Sequence, residues 1–111
     1  MNRRDTDELA RWLAAEQAGS WDEADAWFAA FDSAAATLAR FGAEALVVSL
    51  GLDTFAGDPI SGFRLQSDDY LRLGGALARL DLPAVLILEG GYATAELGIN
   101  AANVIDGIAN G

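Results

Sequence analysis

The sequence predicts an α/β protein with elements in the order α-α-β-α-β-α, parallel strands with flanking helices. Three observations predict it. Two apolar runs, residues 45–50 and 84–88, do not alternate, as expected of strands buried on both faces. Between them Tyr70, Leu73, Leu77 and Leu80 recur at helical spacing, and a strand–helix–strand order joins a parallel pair through a right-handed crossover. Hydrophobic residues make up 52% of the 111 and charged residues 22%, a globular composition.

Each element has its own local signals. Asp5 or Thr6 caps a first helix running to about Gln17, with Leu9, Trp12 and Leu13 on one edge and Gly19 as its left-handed stop. The run from Ser20 to Glu23, Ser-Trp-Asp-Glu, has the capping-box pattern. The helix after it places Trp27, Phe28, Phe31, Ala35, Leu38 and Phe41 on one face, and Gly42 closes it. Trp12, Trp21 and Trp27 read as helix-packing residues. Residues 51–66 form a long connection rich in Gly and Asp, a length that often signals function. Ser67 opens the crossover helix with Asp68 and Asp69 in its positive first turn. Pro83 precedes the second strand, Glu89-Gly90-Gly91-Tyr92 is the turn after it, and a last helix carries Leu97, Ala101, Val104, Ile105 and Ile108. Two strands make a small sheet, so Val47, Leu86 and Ile87 are expected to present a bare edge.

Charge and composition exclude several functions. Seven cations, all Arg, stand against 17 acidic residues, a net charge of −10 that suits no phosphate backbone. With no His and no Cys, the chain has no disulfides, Cys-His zinc sites, His bases or Cys nucleophiles. No glycine-rich phosphate loop of the GxGxxG or GxxxxGK[ST] type is present. No apolar run nears the roughly 20 residues of a membrane span. Arg3 and Arg4 are followed by acidic residues rather than a signal-peptide core, so a cytoplasmic protein without membrane or nucleic-acid partners is expected.

Ligands gather at the carboxyl ends of parallel strands. There the chain offers Asp53, a carboxylate able to ligate a metal, and Tyr92, a hydroxyl able to donate to an oxyanion. Gly90 and Gly91 permit a sharp turn and close approach of a ligand. The competing reading makes Asp53 a turn cap, Tyr92 a cover for the sheet edge and the glycines loop geometry only.

The run from Ala45 to Pro59 (ALVVSLGLDTFAGDP), Gly62-Phe63-Arg64-Leu65, and the run from Leu86 to Tyr92 (LILEGGY) resemble the carboxy-terminal part of the zinc-dependent histone deacetylase and acetylpolyamine amidohydrolase superfamily. The likeness runs from about Gly19 to Ile108, and Asn100, Asn103 and Gly107 fit the family's last helix. Ile60, Glu89 and the Asp53-Thr54-Phe55 run are closer to the acetylpolyamine branch.

The resemblance implies a partial arginase/deacetylase-like fold and hydrolysis of acetyl-lysine or acetylpolyamines with zinc as cofactor. It makes Asp53 a zinc ligand, Tyr92 the oxyanion donor, Gly90 and Gly91 the pocket wall, and Ile60 part of the tunnel for the acyl-amine chain. Residues 1–18 are then an amino-terminal helical extension, and residues 19–111 an incomplete deacetylase-like segment. The family's Asp-x-His ligand pair and paired-histidine base lie on earlier strands, and this chain has no histidine. Stable zinc binding and activity by the chain alone are therefore not expected, and Asp53 is expected to be reached by solvent. A second copy or a complementing amino-terminal fragment is the expected partner. The alternative is a non-catalytic interaction or structural remnant.

Overall fold

The computed structural model describes residues 23–110. The expected first helix, its Gly19 stop, Ser20, Trp12 and Trp21 lie outside the described residues. The chain divides into two compact units, one ending at Ala43 and one beginning at Glu44.

In the first unit, helix α1 spans Ala24–Phe41 and ends where expected: Gly42 adopts a left-handed φ of 79°, and its N–H reaches the carbonyls of Leu38 and Ala39. The start differs from the capping-box expectation. Glu23 is itself the cap position and not the third helical residue, and it caps without a side-chain hydrogen bond. Trp27 packs edge-on to Phe28 and stacks on Phe31, with ring centroids 5.1 and 6.1 Å away. The predicted apolar stripe is only partly buried. Phe28 is buried, Trp27, Phe31 and Ala35 are half-buried, and Leu38 and Phe41 at the far end are exposed.

The second unit holds strands β1 (Leu46–Gly51) and β2 (Ala84–Glu89) and helices α2 (Ser67–Ala78) and α3 (Thr94–Asn110). The strands pair in parallel, with Leu46 opposite Ala84 and Gly51 opposite Glu89. A turn of 3₁₀ helix, Leu52–Thr54, follows β1 directly. The long connection is pinned at both ends: Ala56 N–H donates to Leu65 O at 2.7 Å and Leu65 N–H to Thr54 O at 3.0 Å. Asp69 caps α2 by reaching back to the Gln66 N–H at 2.8 Å, so an acidic first turn satisfies a free donor as well as the helix dipole. After α2, Asp81 takes a left-handed φ of 53°, a conformation Asp tolerates, and the chain turns into Pro83.

The buried apolar side chains include Leu50, Leu52, Leu65, Tyr70, Leu73, Leu77 and Val104. Helices α2 and α3 meet backbone to backbone. A Cβ built on Gly74 falls 2.8 Å from Gly107 Cα, and Asn103 Nδ2 donates to Ser67 O at 2.9 Å. Asn100 is buried in α3, and its Oδ1 has no hydrogen-bond partner. One expectation about the interior needs correction: the strands are not buried on both faces. In the paired register Leu46, Val48, Leu50 and Leu86 share one side, where Leu46 and Leu50 are buried and Val48 and Leu86 half-buried, whereas Val47, Val85 and Ile87 share the opposite, open face. Within α3, Ile105 is 60% exposed because it lies about 100° around the helix from the fully buried Val104.

Candidate functional site

The site residues come from the two connections that leave the carboxyl ends of β1 and β2. Asp53 sits in the 3₁₀ turn, two residues past Gly51, and is half-buried. A hydroxyl relay runs from the next residue, Thr54. The Thr54 hydroxyl donates to Gly51 O at 3.1 Å, which uses its one proton, so Tyr70 is the donor in the 2.8 Å bond between the Tyr70 and Thr54 hydroxyls. Tyr70 is completely buried. Burial pushes its phenol up to about 12; the Thr54 bond opposes this, and the charges of Asp53, Asp58 and Asp69 add to it. Its proton therefore stays in the relay at any physiological pH.

Across from this turn, Gly90 and Gly91 take φ of 64° and 98°, the left-handed region that favours glycine. A Cβ on Gly90 would lie 2.8 Å from Asp53 Oδ2, so the absence of a side chain there is what admits the carboxylate. A Cβ on Gly91 would lie 3.0 Å from Leu52 Cβ. Asp53 and the glycine pair are thus brought together.

Tyr92 and Ile60 are tied in through a residue the sequence reading placed only within a motif. The Asp58 carboxylate is buried, accepting Ile60 N–H at 2.9 Å and Ser61 N–H at 3.1 Å on Oδ1, and Tyr92 N–H at 2.9 Å on Oδ2. Burial opposes its charge, but the three N–H groups prevail and hold the carboxyl below its ordinary value. The side chains of Tyr92 and Ile60 are exposed, 51% and 73%. The Asp-Pro pair carried a signal for the local turn to Ile60 and Ser61. Nothing in the sequence signalled the bond to Tyr92, 34 positions away, or the Thr54–Tyr70 pair.

A catalytic zinc ion needs three protein donors. Among the described residues no three His, Cys, Asp or Glu side chains converge to hold a metal, the oxygens of Asp58 are engaged by backbone amides, and the sequence has no His. At these loops Asp53 is not joined by the two further donors a zinc needs, and that donor set does not fit a resident zinc.

Two parallel strands thus end in turns that are tied to each other, by Asp53 seated against Gly90 and by the Asp58 bond to Tyr92. The chain belongs to the histone deacetylase domain family, which matches residues 15–108. Among characterised proteins it is 55% identical over 83 residues to acetylpolyamine amidohydrolase 1 of Pseudomonas aeruginosa, covering 75% of this chain and 24% of that protein. It is 48% identical over 83 residues to acetylpolyamine amidohydrolase of Mycoplana ramosa, with the same shares, 75% and 24%. The crystal structure of acetylpolyamine aminohydrolase from Burkholderia pseudomallei superposes with a TM-score of 0.76 at 38% identity, over 78% of this chain and 25% of that one. The fold is therefore part of an arginase/deacetylase-like α/β fold, and the chain spans about a quarter of the length of the relatives it matches.

Proposed function

We propose that this chain supplies one side of the amide-hydrolysing site of a deacetylase acting on acetylpolyamines or acetyl-lysine. Completed by other polypeptide, Asp53 would be one ligand of a catalytic zinc, and the Tyr92 hydroxyl would donate to the oxyanion formed when an acetamide carbon is attacked. Gly90 and Gly91 form the pocket wall, and Ile60 lines the entrance for the acyl-amine chain. The other ligands and the base come from polypeptide other than these 111 residues, and these residues alone do not turn over substrate. The observation that carries this reading is the Asp53 carboxylate seated against Gly90, in the gap only glycine leaves between the two strand-end turns. The names of the relatives favour an acetylated polyamine over a peptide.

The test is a chimera in which residues 24–110 replace the matching segment of the Pseudomonas aeruginosa relative. The chimera is expected to deacetylate an acetylpolyamine in the presence of zinc, and Asp53→Asn and Tyr92→Phe are each expected to abolish that. The chain alone with zinc is expected to match a metal-only blank. Turnover by the chain alone, or a chimera indifferent to both substitutions, refutes the proposal. A second reading, a non-catalytic interaction module, is favoured by the open apolar face of Val47, Val85 and Ile87, which are 73%, 59% and 45% exposed. A folded chimera inactive with every substrate would support it.

A further inference from the structure

We propose that Asp58 is the positioning residue of this site, a single buried carboxylate that seats the Tyr92 backbone and the Ile60 turn together. The proposal deepens the reading above, since it rests on Tyr92 and Ile60 facing substrate. Three backbone donors converge on one side chain, two from its own loop and one from the loop after the other strand. The local bonds at Oδ1 close a turn and by themselves need no partner elsewhere. The bond at Oδ2 has a different consequence, because it fixes where the second loop lies relative to the first. Tyr92 follows two glycines in left-handed conformations, a stretch with few restraints of its own, so an external anchor decides where its N–H points. The side chains this anchor controls are both exposed, whereas the anchor is buried, so the tie lies beneath the surface that meets a ligand. A carboxylate is required because it accepts on both oxygens. An Asn in the same place would turn its Nδ2 donors toward one of the N–H groups.

The test uses the 111-residue chain and the backbone amide spectrum by NMR. Asp58→Asn keeps one acceptor oxygen and is expected to leave the Ile60 and Ser61 amides near their original positions. In that variant the Tyr92 amide proton moves upfield, and its exchange with solvent accelerates about tenfold or more, the scale of one lost bond to a charged acceptor. Amides of the α2–α3 core, such as those of Leu73 and Val104, are expected to keep their protection. Asp58→Ala should release all three amides. A Tyr92 amide unchanged in Asp58→Asn overturns the proposal, and so does a uniform loss of protection that includes Leu73 and Val104, which is what a merely stabilising role produces. Should both variants fail to fold, the unsubstituted chain supplies the reading: the amides of Ile60, Ser61 and Tyr92 should shift with one shared midpoint as acid protonates the carboxylate. Separate midpoints or an unresponsive Tyr92 overturn the proposal. None of these signals depends on turnover, so an inactive chimera and a failed anchor are distinguishable.

Discussion

The contact between α2 and α3 makes a sharp prediction about Gly74→Ala. A Cβ at Gly74 would lie 2.8 Å from Gly107 Cα and 2.9 Å from Ile108 N, with the Val104 carbonyl oxygen closer still. All three atoms are backbone, so no side chain can swing away. Ordinary carbon contacts sit near ~3.5–4.0 Å, so the helices must separate locally by about 1 Å, and a gap of that size forfeits a quarter to a half of the dispersion energy of the atoms lining it. Overpacking of this kind costs about 1–3 kcal/mol, and a clash with fixed backbone belongs at the upper end. Alanine offsets about 0.5–1 kcal/mol through its better helix propensity. The net expectation is a loss of about 2 kcal/mol, a large share of a small domain's stability.

In urea at neutral pH, with a slope of about 1–1.5 kcal/mol/M for a domain of this size, the unfolding midpoint should fall by roughly 1.5–2 M. Gly98→Ala, in α3, is the matched control. Its Cβ meets nothing within 4 Å, so only the propensity gain operates, and the midpoint should rise by about 0.5 M. Equal midpoints for Gly74→Ala and the unsubstituted chain, or a fall in Gly98→Ala, would refute the reasoning.

Three further predictions follow from the site. The Tyr70 phenol loses its proton near 10.0 when unfolded but near about 12 when folded, so the stability this confers is complete below pH 10 and is lost as pH rises through 12. At 1.36 kcal/mol per pH unit the loss is at most about 2–3 kcal/mol, reduced by residual solvation, and urea midpoints for Tyr70→Phe should lack this alkaline slope. The Asp58 carboxyl is held below 3.8, so its contribution is complete above that pH and disappears as pH falls through the lower folded value. Urea midpoints between pH 5 and 2.5 should decline less steeply for Asp58→Asn. Gly90→Ala combines a left-handed φ, worth about 1–2 kcal/mol for a residue with a Cβ, with displacement of Asp53. It should lower the midpoint measurably and, in the active chimera, cost turnover.

The catalytic reading separates what the motif carries from what the fold adds. Asp53, Gly90, Gly91 and Tyr92 are legible because they follow two unbroken apolar runs, at the strand ends where ligands gather. Asp58, Thr54 and Tyr70 were visible only as a motif letter, a loop residue and one member of a helix's inner edge. Their roles arise from hydrogen bonds spanning 34 and 16 positions, and no pattern with the period of a helix or strand reports a pairing at such separations.

Read alone, the sequence determined the strand–helix–strand order, the stop of α1 at Gly42 and the acidic opening of α2, because dihedral preference, capping and hydrophobic period are properties of neighbouring residues. It misjudged the start of α1 and the burial of both faces of the strands. Each depends on which face a neighbouring element covers or where a helix gains its first partner. Tertiary structure alone decided that Gly74 and Gly107 let two helices touch, that Asp53 rests on Gly90, and that one buried carboxylate joins the two turns. Those are contacts between distant segments, and their energies exist only once the chain has brought the segments together.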